Sequence, residues 1–106
     1  MKELEREREV ERRLVDRVSA AGGQCLKFVP EQAPGMPDRL VLMPGGVSVW
    51  VELKRPRGGR LVPLQSWRHE QLRRLGQRVE VVWTREQADA LVQSLSETPL
   101  EARKRP

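Results

Sequence analysis

Arg39-Leu40-Val41-Leu42-Met43, Pro44-Gly45-Gly46, Val47-Ser48-Val49-Trp50-Val51: this stretch reads as a β-hairpin, two apolar runs joined by a proline–glycine turn. With Met43 opposite Val47, the numbers of paired residues sum to 90. Asp38, just before the first strand, then falls opposite Glu52, just after the second. Directly opposed side chains have Cβ atoms roughly 4.5–5.5 Å apart. Two carboxylates so placed repel unless something neutralises them, and a divalent cation does so. Strand alternation returns Lys54 to the face that carries Glu52. A slip of one residue at the turn would send Glu52 to the opposite face from Asp38, so the whole reading hangs on the register.

Both hairpin strands are apolar on both faces, with Leu40 and Leu42 set against Val41, and Val49 and Val51 against Trp50. Such strands are expected to be central in a sheet and covered by helices on both sides. Before them, residues 2 to about 21 read as a helix with Val10, Leu14, Val15, Val18 and Ala21 at helical spacing, stopped by Gly22-Gly23. Gln24–Val29 reads as a short strand, and Pro30–Pro37 as a loop with three prolines and a glycine. After the hairpin, Arg55–Val62 is a basic, glycine-containing loop. Pro63–Leu75 is a helix with Pro63 suited to its first position and Gly76 to its stop. Arg78–Thr84 reads as a strand and Arg85 to about Leu95 as a third helix. The order α-β-β-β-α-β-α predicts an α/β fold, a mixed sheet flanked by helices, as one domain over residues 1–96 with a polar, flexible tail over 97–106.

A chain of 106 residues has room for one modest core. One cysteine, Cys25, allows no internal disulfide, and no apolar run approaches the roughly 20 residues of a membrane span. A soluble, cytoplasmic protein of a bacterial or phage-infected cell is expected, with no membrane partner. The net charge of +5 is unevenly spread: residues 1–49 carry 8 basic and 8 acidic side chains, residues 50–106 carry 12 and 7. The excess therefore lies from the candidate acidic cluster onward, which suits a polyanionic partner, although a solvated basic surface has the same composition.

The pattern Gly35-x-Pro37-Asp38, thirteen intervening residues, then Glu52-Leu53-Lys54 combines two acids and a lysine as metal-dependent phosphodiester cleavage requires. With Val51 before it, the Gly58-Gly59-Arg60-Leu61 loop and Pro63-Leu64-Gln65 at a helix start, it resembles the VRR-NUC branch of the PD-(D/E)XK nucleases, and in particular its small phage and prophage members. The resemblance spans roughly residues 7–95. It implies a restriction-endonuclease-like fold and a metal-dependent DNA nuclease. It also implies structure-selective cleavage of branched DNA, at junctions or flaps, by a homodimer.

Residue by residue, the resemblance makes Asp38 and Glu52 ligands of Mg2+ or Mn2+, with the backbone carbonyl of Leu53 as a further ligand. Lys54 would position the attacking water and stabilise charge on the scissile phosphate. Gln65 matches a glutamine bordering the site, and Glu11 an acid contributed by the first helix. Independently of the family, Glu11 lies on one helix face with Leu14, Val15 and Val18, where an acid needs a partner. The glutamates at 3, 5, 7 and 9 are rival assignments, Glu7 one turn away. Arg55, Arg57 and Arg60 follow Lys54 closely and are proposed to grip the nucleic-acid backbone, against the alternative of a solvated loop. Val62 stands before Pro63 where such helices often carry a Ser or Thr cap, a loss of about 1 kcal/mol in local stability.

Other signals carry less. His69 is the one histidine, which excludes a histidine-cluster metal site, and it reads as an exposed helical residue. Cys25 reads as a small buried side chain. Trp50, Trp67 and Trp83 could stack on bases, but their positions favour core packing, with Trp67 nearest a rim. No organic cofactor is implied. Two competing functions remain open: a non-catalytic DNA-binding module on the same fold, and a basic adaptor for a protein partner. Against the adaptor, Glu52 sits between Val49-Trp50-Val51 and Leu53, where an unpartnered charge is costly.

Overall fold

The structure is a computed structural model that describes residues 6–97. Its elements are α1 (Glu7–Ala20), β1 (Gln24–Lys27), β2 (Arg39–Met43), β3 (Val47–Leu53), α2 (Pro63–Arg74), β4 (Val79–Val82) and α3 (Arg85–Ser96). The order is the expected α-β-β-β-α-β-α. Residues 2–5 of the expected first helix, with the rival acids Glu3 and Glu5, and the expected tail from residue 98 lie outside the described residues. No helix among the described residues is long and apolar enough to cross a membrane.

The four strands form one sheet in the order β1-β2-β3-β4. β1, β2 and β3 are antiparallel neighbours, and β4 joins β3 in parallel. A parallel pair cannot be closed by a tight turn, so α2 makes the crossover. The hairpin register is Met43↔Val47 through Arg39↔Val51, the expected sum of 90.

Strand alternation divides the sheet into two unlike faces. Val41, Met43, Val49, Val51, Leu53 and Val82 point to one face and pack with Val10, Leu14 and Val18 of α1 and Ala88, Leu91, Val92 and Leu95 of α3. This is the core. Burying a side chain of this size is worth roughly 1.5–3 kcal/mol. The other face carries α2, as expected, but its β1–β2 side is left open: Leu26 and Leu42 there are 42% and 38% exposed. Phe28 and Trp50 shield one another instead, in an edge-on contact with ring centroids 5.1 Å apart. Of that face, α2 covers the end where Glu52 lies and also β4, whose Val79 is 4% exposed. Apolar residues on both sides of a strand thus report a central position, and the second helical layer covers only the β3–β4 side of the sheet.

Helices α1 and α2 stop in the same way. Gly22 and Gly76 take positive φ (84° and 82°), which a side chain resists, and the following N–H of Gly23 or Gln77 returns to the carbonyl of Val18 or Leu72. At Gly23 the return brings α1 hard against the hairpin. A Cβ there would stand 2.5 Å from the Leu42 carbonyl and 2.8 Å from Met43 Sδ. Gly23→Ala should therefore destabilise the chain by about 1–3 kcal/mol, read as a lower urea midpoint with unchanged slope.

Candidate active site

Continuing the hairpin register past Arg39↔Val51 brings Asp38 opposite Glu52, as the sequence requires, and then Pro37 opposite Leu53. Proline has no N–H, so the ladder ends there. The Leu53 N–H turns to the side chain beside it, donating to Asp38 Oδ2 at 2.9 Å. The Leu53 carbonyl, on the same strand edge, receives no ladder hydrogen bond from Pro37. Asp38 is thereby fixed at the mouth of β3, next to a main-chain oxygen.

Glu52 is 1% exposed although it lies on the sheet face away from the core. Gln65, on the first turn of α2, donates from Nε2 to Glu52 Oε2 at 3.0 Å. Lys54 Nζ stands 3.6 Å from the same oxygen. Glu52 Oε1 has no hydrogen-bond partner and lies 3.6 Å from His69 Nε2. Burial pushes the Glu52 carboxyl up to about 8, the Asp38 carboxylate adds to the shift by its charge and by a hydrogen bond, and Lys54 partly opposes it. A buried carboxyl whose charge is disfavoured by a neighbouring carboxylate makes a poor salt bridge and a good place for a cation.

The donors fit a hard divalent ion. Among the described residues no three His, Cys, Asp or Glu side chains converge as a metal cluster. A cation here could be held by Asp38, Glu52 and the Leu53 carbonyl, with water filling its remaining positions, the sparse carboxylate ligation that Mg2+ accepts.

Gln65 also answers the missing helix cap. Val62 offers no side-chain oxygen, but its own N–H donates to Gln65 Oε1 at 3.1 Å. One amide thus closes the start of α2 with its oxygen and holds Glu52 with its nitrogen. The loop carrying Asp38 is lashed to the same helix: Arg68 Nε donates to the Pro34 carbonyl at 3.2 Å. Gly35, at φ 84°, leaves space in which a Cβ would come within 2.8 Å of the Leu64 carbonyl.

Asp38, Glu52, Lys54, the Leu53 main chain and Gln65 are therefore brought together, and Glu11 is not. Glu11 Oε2 accepts from Arg39 Nε at 2.8 Å, while Arg39 Nη1 donates to the Cys25 carbonyl at 3.0 Å. Arg39 is one residue from Asp38, and so faces the other side of the sheet. The rival Glu7 is exposed in the first turn of α1. Arg55, Arg57 and Arg60 are exposed on the loop after Lys54. This loop is folded tightly, since a Cβ on Gly59 would strike the Arg55 main chain.

His69 corrects the sequence reading. It is 1% exposed, not a surface residue, and neither ring nitrogen has a hydrogen-bond partner. Burial, then the charges of Arg73 and Lys54, hold its pKa below the ordinary value. The signal that could have found it is its spacing, four residues after Gln65 and three before the buried Leu72. Cys25 is half-buried against the core, with burial pushing its thiol up to about 11. Trp50 and Trp83 are half-buried, and Trp67 is 51% exposed with the Arg68 guanidinium 4.8 Å from its ring centre.

A solved structure described as "VRR_NUC domain" superposes with a TM-score of 0.76 at 36% identity, covering 82% of this chain and 94% of that one. The "Putative nuclease p44" of Acyrthosiphon pisum secondary endosymbiont phage 1 is 42% identical over 79 residues, 74% of this chain and 84% of the phage protein. The chain belongs to the VRR_NUC family. No protein-family model matches it. The VRR_NUC fold accounts for the architecture: a mixed four-stranded sheet with helices, in which the acid at the start of β2 and the acid-x-lysine at the end of β3 meet.

The raised pKa of Glu52 gives a thermodynamic signature. In metal-free protein its folded pKa of about 8 lies above the ordinary 4.5, so the folded state holds a proton that the unfolded state releases. This contribution is fully present below the unfolded value and is lost as pH rises through the folded one. In EDTA, the urea midpoint should fall between about pH 5 and about pH 9 relative to Glu52→Gln, and a divalent cation should reverse the fall.

Proposed function

We propose that this VRR_NUC chain is a metal-dependent DNA nuclease that hydrolyses phosphodiester bonds, with Mg2+ or Mn2+ as its cofactor and branched DNA, at junctions or flaps, as its substrate. The observation that carries the reading is the Glu52 carboxylate, dry, repelled by Asp38 and held by Gln65 beside Lys54. A structural core has no use for such an arrangement. A DNA-binding module that lacked chemistry would have no reason to maintain it.

Asp38, Glu52 and the Leu53 carbonyl would hold the ion. When bound, it supplies a water of lowered pKa and draws charge from the phosphate. The residues of the chain do the positioning. Gln65 fixes the plane of the Glu52 carboxylate, and the Leu53 N–H fixes one oxygen of Asp38. Lys54, with its stem buried and its ammonium at the rim of the pair, orients the attacking water and meets the negative charge that builds on the phosphoryl oxygens. A P–O bond forms to the water oxygen as the opposite P–O bond breaks. The exposed Arg55, Arg57 and Arg60 contact backbone phosphates beside the cut. One acidic cluster per chain cuts one strand, so cleavage of both strands at a junction calls for a homodimer.

The test uses labelled single-stranded, duplex, flap and four-way-junction DNA with Mg2+, Mn2+ or EDTA. Cleavage should require the cation, should favour branched substrates, and should vanish in Glu52→Ala and Asp38→Asn while DNA binding survives. Lys54→Ala should lower the rate by about 10²–10³-fold. DNA that is bound and never cut would instead identify a non-catalytic module. Arg57→Ala should weaken binding to every DNA tested and reduce the slope of log K against log salt by about 1; an unchanged slope would return this loop to ordinary solvated surface.

A further inference from the structure

We infer that His69 is a positioning residue for Glu52: its Nε2–H and the amide of Gln65, one helical turn apart on α2, take one carboxylate oxygen each and set the remaining lone pairs for the cation. The inference rests on the reading of Glu52 as a metal ligand.

Gln65 and His69 are four residues apart, so α2 presents both to the same side. Gln65 already holds Glu52 Oε2 at 3.0 Å. His69 Nε2 faces the other oxygen, Oε1, at 3.6 Å, just beyond hydrogen-bond length. Each of these two atoms is buried and lacks any other partner. A donor-capable nitrogen and a carboxylate oxygen, both stripped of water and both unsatisfied, face each other across a gap that a small movement closes. Hydrogen bonds of this kind are commonly long before the site is loaded and tighten afterwards. An ionised ligand carboxylate is acceptor only, and a neutral imidazole offers it one N–H.

Packing alone does not explain the residue. His69 is 1% exposed, next to the buried Leu72 on the same helix, where a leucine would fill the space with no unsatisfied nitrogen. An imidazole at such a position is destabilising in itself, and its compensation is sought in the site. Groups that orient a ligand from outside typically change metal affinity by about 10- to 100-fold when removed.

The experiment titrates Mn2+ into the full chain, freed of metal and without DNA, and follows free Mn2+ by electron paramagnetic resonance. Melting temperatures of the metal-free proteins are measured in parallel. His69→Leu should weaken Mn2+ binding by about 10- to 100-fold with a melting temperature equal to or above that of the unaltered chain. His69→Gln, which restores an N–H toward Oε1, should recover part of the affinity. Leu72→Ala, a packing control, should melt lower and bind Mn2+ normally. Should His69→Leu fail to fold, His69→Met carries the same comparison. Normal Mn2+ affinity in the apolar variant, or no recovery in His69→Gln, overturns the inference. If the unaltered chain binds Mn2+ but cuts no DNA, the nuclease reading falls and the role of His69 stands; if it binds no Mn2+, both fall.

Discussion

An antiparallel ladder gives each strand residue on its bonded edge a partner for both its N–H and its carbonyl. Between β2 and β3 that regularity ends where the next donor would be Pro37. The N–H of Leu53 is then answered by a side chain, Asp38, and the Leu53 carbonyl is left without its ladder donor. The loss of one hydrogen bond at the end of a hairpin thus gathers two of the three candidate ligands. The third, Glu52, arrives through the register itself, because the pair before the proline is Asp38 with Glu52. The site is less an addition to the fold than the way in which this hairpin stops.

The two sheet faces divide the work. On one, α1 and α3 close a continuous apolar core, with the Glu11–Arg39 pair at its edge. On the other, beside the buried Val79 and the Leu72 of α2, the buried polar groups are Glu52 and His69, and both have atoms with no hydrogen bond. Each buried unsatisfied group costs about 1–3 kcal/mol. That is a large fraction of the stability of a domain this size, so such groups are tolerable only if the first face is well packed. Helix α2 links the two demands. The Gln65 side chain that closes its N-terminus is the same one that holds Glu52, and loosening the helix start would loosen the carboxylate.

What the sequence showed follows the range of the interactions concerned. The hairpin register depends on a three-residue turn and a period of two, both local, and the glycine stops of α1 and α2 are equally local. Asp38, Glu52 and Lys54 could be placed because they depend on that register alone. The extent of helical cover on the second face could not, since whether a helix lies over Leu26 and Leu42 is decided by the path of the chain and not by those residues. His69 was missed for a similar reason. Helix α2 also carries Leu64 and Trp67, and Leu75 follows its end, all exposed, so the apolar pattern does not point to the sheet. Only its docking over the end of β3 reveals which side is buried.

Glu11 shows how a local inference about burial finds its partner. Its place on the core-facing side of α1 did demand a partner, and it has one in Arg39. That pair lies across the sheet from the carboxylates, yet it is not remote from them along the chain. Asp38 and Arg39 are successive residues pointing to opposite faces. The Arg39 side chain is tied to both α1 and the Cys25 carbonyl of β1, while the Phe28 N–H holds the Asp38 carbonyl. The backbone that carries Asp38 is therefore anchored from the core side. An acid on α1 can thus bear on the geometry of the site through the main chain that carries Asp38.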